Sequence, residues 1–168
     1  MLILGIDPQP KLLALCLINE KLEVKEWYTI PFKKKNTLSA QLWQEHVWGE
    51  CFNAIQSLKN VYNINLIAIE QQRGRVNSLI ESALLGCSMY LQIKRIIYHP
   101  KTWKKLIQFK CDPGHKNNKI ESVKLVEKKI KTYSEDLYQK NISGLDHLSD
   151  AYLIALAALE EYNLKNDI

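Results

Sequence analysis

The opening stretch Leu2-Ile3-Leu4-Gly5-Ile6-Asp7-Pro8 limits the fold more than any other, because it runs apolar residues straight into one carboxylate. Such a short run of leucine and β-branched residues reads as a buried strand. Gly5 lets a second backbone or a ligand approach closely. Pro8 has no amide hydrogen to give and helps to end the ladder. Asp7 then stands where the strand leaves the core, and a carboxylate there is costly unless it has a partner. The partners expected for Asp7 are further carboxylates and a divalent metal.

Downstream, a polar turn leads to a second apolar strand at 12–18, and a third strand is expected at 22–30. Connections this short suit an antiparallel meander, not a parallel crossover. Apolar residues Leu42, Val47, Trp48, Phe52, Ile55 and Leu58 recur at helical spacing, which predicts a helix over 38–58. Leu66-Ile67-Ala68-Ile69-Glu70 is a fourth strand, and like the first it ends in an acid. A second helix is expected over 78–91, a fifth strand over 95–98 and a short helix over 101–107. A basic helix at 118–131, a polar linker at 133–144 and a strongly apolar final helix at 146–162 complete the pattern. The order predicts a mixed α/β fold.

At 168 residues, 46% hydrophobic and 24% charged, the chain suits one domain, 1–168, with a sizeable core. The net charge of +5 is carried almost wholly by lysine, since the only arginines are Arg73, Arg75 and Arg95. A modest basic excess suits a polyanion partner. Cys16, Cys51, Cys87 and Cys111 form no CxxC pair, which fits reduced, packed thiols and not a disulfide frame or a zinc site. No apolar run is long enough to span a bilayer, and the first residues lack the pattern of a signal peptide. A soluble, intracellular protein is expected, acting in cytoplasm, nucleoid, organelle or viral replication site.

The acids carry the chemistry. Asp7 and Glu70 are neighbours if the first and fourth strands pair, as a helical crossover permits. The final helix offers Asp146, His147 and Asp150, at spacings that share a helix face. Each has an ordinary reading alone: Asp146 as a helix N-cap, His147 as a satisfied histidine, Glu70 as a solvated strand end. Together they read as ligands, because hard oxygen donors from separate elements suit Mg²⁺ or Mn²⁺. Two such ions in one site can activate water and stabilise the leaving oxygen of a phosphodiester.

The segments Gly5-Ile6-Asp7-Pro8, Ile67-Ala68-Ile69-Glu70-Gln71 and His147-Leu148-Ser149-Asp150-Ala151-Tyr152 resemble the RuvC family of Holliday-junction resolvases, including its poxviral and chloroplast members. Tyr98-His99-Pro100-Lys101-Thr102-Trp103-Lys104 and Lys119-Ile120-Glu121-Ser122-Val123 are similar to the family's later segments, so the likeness runs along nearly the whole chain. The resemblance implies an RNase H-like fold, with a five-stranded mixed sheet of three antiparallel and then parallel strands, flanked by helices. It implies a homodimer that makes paired symmetric nicks in four-way DNA junctions by metal-dependent hydrolysis. Asp7, Glu70 and Asp150 match three family ligands. The fourth falls on His147, with Asp146 beside it as an extra or competing ligand. Lys119, with Lys116 second, matches the basic residue of the catalytic site. Gln72-Arg73 stands where many members carry an aromatic, so no junction-opening wedge is identified.

Arg73 and Arg75 follow Glu70 closely and suit phosphate contact beside the cut site. Lys101, Lys104 and Lys105 around Trp103 read either as a backbone-contacting patch with a ring for base stacking or as an exposed face over a core tryptophan. Lys116 and Lys119 open the basic helix as further DNA contacts. The helix from Leu79 to Leu91 carries Ala83, Gly86 and Cys87, small residues that read as a core helix or, following the resemblance, as a two-fold dimer contact. The rival readings are an RNase H-like nuclease acting on flaps or RNA–DNA hybrids, and a junction-binding protein without catalysis. A small actin-like ATPase is disfavoured, since the chain lacks glycine-rich phosphate loops, and no nucleotide cofactor or membrane is expected.

Overall fold

Three strands open the chain as a meander: β1 (Leu2–Pro8), β2 (Leu12–Asn19) and β3 (Val24–Pro31) pair antiparallel in sequence order. The computed structural model describes residues 1–33, 39–71, 74–109, 115–130 and 145–166, without the side chains of 75–77 and 115–118. The Asn19 side chain closes the second turn by accepting from the amides of Lys21 and Glu23 at 3.0 and 2.9 Å. Leu22 sits in this turn at φ 63°, so β3 begins two residues later than the sequence pattern suggests.

Helix α1 (Ala40–Val61) follows, with the Ser39 hydroxyl accepting from the Leu42 amide as an N-cap. Its buried stripe is Trp43, Val47, Cys51, Ala54, Ile55 and Leu58. Leu42 and Trp48, expected inside, are turned to solvent instead. β4 (Leu66–Glu70) then pairs parallel with β1. After α2 (Arg75–Tyr90), β5 (Lys94–Tyr98) pairs parallel with β4. The five-stranded sheet has the order β3-β2-β1-β4-β5, antiparallel and then parallel. Helices α3 (Pro100–Leu106), α4 (His115–Lys129) and α5 (Leu145–Asn166) complete the described chain.

Helices cover both faces. Leu4, Ile6, Leu13, Leu15, Leu17, Ile67 and Ile69 point to the layer of α1 and α2. Ile3, Ala14, Cys16, Ile18 and Ala68 point to α5, which is flanked by α3 and α4. β1 is buried on both faces, as its unbroken apolar run requires. The three described cysteines are free and buried, and Cys111 lies outside the described residues. Among the described residues no helix is long and apolar enough to cross a membrane.

In α2, Ala83, Leu84 and Cys87 are buried in the chain's own core against α1 and the sheet. They are therefore not a free surface for a second copy. Among the described large apolar residues of α2, Met89 and Tyr90 are exposed, and Tyr90 lies beside Phe52 of α1, which stacks on Trp48.

Candidate active site

The site is built first by strand register. In the parallel pair, Ile6 lies opposite Ile69, so the next positions along the two strands are Asp7 and Glu70. Both strands end here, at the carboxyl edge of the sheet, where α/β folds place their ligands. The first turns of α5 cross the same edge. Gly5 makes that crossing possible, since a Cβ there would stand 2.0 Å from the Ala151 carbonyl oxygen. His147 and Asp150 are thereby brought against the strand ends.

Asp7 is completely buried. One of its oxygens accepts from Gln9 Nε2 at 2.7 Å, and the other lies 2.8 Å from His147 Nδ1. Glu70, 9% exposed, accepts at Oε1 from Trp103 Nε1 at 2.9 Å. Asp150 is hydrogen-bonded by Ser122 and feels the charges of Asp7 and Glu70. Asp146 pairs with Lys119, and its Oδ2 lies 3.8 Å from His147 Nε2. The structure thus turns His147 toward Asp7 and Asp146 toward the lysine.

Electrostatics show how crowded these acids are. Burial, then the charge of Asp7, pushes Glu70 up to about 7, although the Trp103 bond and Lys104 oppose the rise. Burial, then Asp7 and Glu70, pushes Asp150 up to about 8. The bond to Asp7 raises His147. Burial raises Asp146, but Lys119 and His147 more than offset this and leave it below the usual range. The bond to Asp146 in turn raises Lys119.

Three mutually repelling carboxylates with one imidazole are a hard, mostly oxygen donor set of the kind that Mg²⁺ or Mn²⁺ takes. Among the described residues no three acid, histidine or cysteine side chains already form a finished cage. Instead the acids are tied to Gln9, His147, Trp103 and Ser122. Cationic charge among them would relieve the repulsion that raises Glu70 and Asp150. The residues present fit a divalent ion on both counts.

Of the two readings of Trp103 and its lysines, the structure has the core tryptophan. Trp103 is fully buried, so it offers no face for base stacking. Helix α3 starts directly after β5, capped by His99 with Pro100 at its first position. This turns the indole inward, where its N–H finds Glu70. Lys104 is only half-buried; its Nζ lies 5.1 Å from the Trp103 ring centroid and its charge bears on Glu70 and Asp150. It belongs to the acid cluster as much as to any outer face. Lys101 and Lys105 are exposed, as is Lys119. Arg73 and Gln72 lie outside the described residues, as do the side chains of Arg75 and Lys116; Arg75 itself begins α2. Gln9, Ser122 and Lys104 were not singled out as partners of the acids. Only Gln9, two residues after Asp7, left a local signal.

An open cleft of about 440 Å³ lies beside the site, lined by Lys119, Lys124 and Asp146 among others. A larger groove, about 770 Å³, is elsewhere: it is lined among others by Leu66 and Lys94 at the opposite ends of β4 and β5, and by the later turns of α5.

No family model matches the chain, and no curated protein sequence matches it. Solved structures do. Thermus thermophilus RuvC superposes with a TM-score of 0.68 at 16% identity, covering 98% of this chain and 97% of that one. The same protein in complex with its Holliday junction substrate gives 0.67 at 16% identity, over 98% and 96%. The yeast mitochondrial Holliday junction resolvase Ydc2 gives 0.62 at 22% identity, over 98% and 82%. The chain therefore has the RuvC-type, RNase H-like fold shared by these resolvases.

Proposed function

We propose that the protein is a Holliday-junction resolvase, an endodeoxyribonuclease that makes paired symmetric nicks in four-way DNA junctions. The observation that carries this reading is the meeting of Asp7, Glu70, His147 and Asp150 at the carboxyl edge of β1 and β4, in a fold shared with resolvases over nearly the whole chain.

Asp7, Glu70, Asp150 and His147 hold two divalent cations, Mg²⁺ or Mn²⁺. Asp146 stays paired with Lys119 outside that set. When bound, the cations supply water activation and neutralise charge at the phosphate. In the reaction a water oxygen bonds to phosphorus and the bond from phosphorus to the 3′ oxygen breaks. This leaves a 5′-phosphate and a 3′-hydroxyl. Lys119, half-exposed at the rim, donates to the phosphate oxygens that gain charge. The exposed Lys101 and Lys105 contact the DNA backbone. A homodimer places two such sites on one junction. Its contact is formed by Trp48, Phe52, Met89 and Tyr90, and not by Ala83 and Cys87, which face the chain's own core.

The test is cleavage of synthetic four-way junctions, flaps and RNA–DNA hybrids with Mg²⁺ or Mn²⁺. Paired nicks in the junction are expected, with little cutting of the other substrates. Asp7→Asn is expected to slow cleavage by roughly 10³-fold, the loss of several kcal/mol of metal-borne stabilisation. Asp146→Asn loses only a half-exposed ion pair and is expected to cost about fivefold or less. An Asp7→Asn variant that resolves junctions at the wild-type rate sinks the assignment.

A further inference from the structure

The geometry points to Trp103 as a positioning residue of the candidate metal centre: its indole N–H fixes the Glu70 carboxylate by one oxygen so that the side chain is set in place before any cation binds. The inference rests on Glu70 being a ligand, as proposed above, and adds to it a residue that touches neither metal nor substrate.

Four observations support it. The bond is well formed and buried: Trp103 Nε1 stands 2.9 Å from Glu70 Oε1, an ordinary N–H···O length, with the indole fully buried and the carboxylate nearly so. An indole can only donate, so the contact has one direction and is made to an acceptor. The indole itself is well held. His99 caps its helix through the Lys101 amide, and the Phe109 and Trp103 ring centroids are 6.2 Å apart. Finally, Trp103 is the one buried residue of α3, a helix of seven residues. Leu106 at the helix end is only partly buried against the same core, and the residue after the ring, Lys104, bears on the same acids. A glutamate at a strand end has three rotatable bonds, and a fixed donor removes most of that freedom. Outer partners that hold a ligand in this way typically contribute about 10- to 100-fold in metal affinity.

The test uses the full chain and Mn²⁺ alone, without DNA. Indole N–H signals are read by NMR for Trp27, Trp43, Trp48 and Trp103, with Trp103→Phe assigning the last. Substoichiometric Mn²⁺ is expected to broaden the Trp103 signal first, ahead of Trp43 and Trp48 in α1 on the other face of the sheet. Mn²⁺ affinity is then measured by electron paramagnetic resonance of the free ion. Trp103→Phe, which keeps an aromatic ring but no donor, is expected to bind Mn²⁺ about tenfold more weakly or worse. A folded Trp103→Phe variant with wild-type Mn²⁺ affinity overturns the inference, whatever happens to its thermal stability. If that variant does not fold, the wild-type spectrum decides: broadening of Trp103 no greater than that of Trp43 overturns it. A wild-type protein with no saturable Mn²⁺ site fails the metal-centre reading itself, and this inference with it.

Discussion

Asp7 shows how one buried charge governs its neighbours. In the ion-free protein Glu70 is pushed up to about 7 and Asp150 to about 8, by burial first and by Asp7 next. Both groups hold a proton more tightly folded than unfolded, where their ordinary values are 4.5 and 3.8. Their stabilising contribution is complete below those ordinary values and is lost as pH rises through 7 to 8. His147, also raised, acts in the same sense. In EDTA the thermal midpoint is therefore expected to fall by about 5 °C or more between roughly pH 5 and 8, on the order of a few kcal/mol. Mg²⁺ is expected to raise the midpoint more at the alkaline end, because cations favour the ionised acids. Thermal melts across that range with and without Mg²⁺ check both; a midpoint that is flat or rising in EDTA contradicts the first. The acids themselves could be found from sequence, because an acid ending an apolar strand has few other reasons to be there. Their partners could not: Trp103 and Ser122 meet Glu70 and Asp150 only through contacts between elements far apart in the chain.

Among the elements, α5 does most to join fold and site. Its middle is buried from Ala151 to Leu159, and its start supplies His147 and Asp150. It lies so close on β1 that a Cβ on Gly5 would stand 2.0 Å from the Ala151 carbonyl oxygen, 2.8 Å from the Ala155 amide nitrogen and 2.9 Å from the Ala155 Cβ. Two of these atoms are backbone, so the helix must shift as a whole. Gly5→Ala is expected to cost about 3 kcal/mol, the upper end of ordinary overpacking, and to pull His147 and Asp150 off the strand ends. Gly49→Ala is the control. It lies within α1 with nothing within 4 Å of its added Cβ, and is expected to be stabilising by roughly 0.5–1 kcal/mol through helix propensity. Denaturant midpoints of the two variants settle the contrast, and equal effects refute it. The order of elements was legible because short unbroken apolar runs alternate with longer stretches of helical apolar spacing. The facing of α1 was less so: Leu42 and Trp48 fit a helical stripe on paper, yet the helix presents Trp43 and Cys51 inward in their place. Spacing identifies a stripe but does not choose between two overlapping ones when both are apolar.

Across the whole molecule, the exposed apolar surface is uneven. Trp48, Met89 and Tyr90 are 45%, 62% and 73% exposed, and the aromatic ones cluster, since Trp48 stacks on Phe52 at 5.2 Å while Phe52 meets Tyr90 edge-on at 5.5 Å; Met89 precedes Tyr90 in the last turn of α2. Aromatic and methionine side chains gathered on one outer face are the composition of an interface centre. The face is formed by the middle of α1 and the end of α2, on the side of the sheet opposite α5, so a second copy seated there leaves the first turns of α5 uncovered. Two-fold pairing through this face gives one particle with two acid clusters, which symmetric nicking of a four-way junction requires. The double variant Trp48→Glu, Tyr90→Glu places charge at the centre of that patch. It is expected to sediment as a monomer, and the wild type as a dimer. On a supercoiled plasmid that extrudes a cruciform, two nicks in one encounter linearise the circle, and single nicks leave it open but unbroken. The variant is therefore expected to accumulate nicked circles, with the total rate of first nicking reduced far less than the yield of linear product. Because its acids are untouched, loss of all cutting points to misfolding, which its melting curve reveals. A variant that remains dimeric, or that still linearises the plasmid as efficiently as the wild type, moves the interface away from α1 and α2.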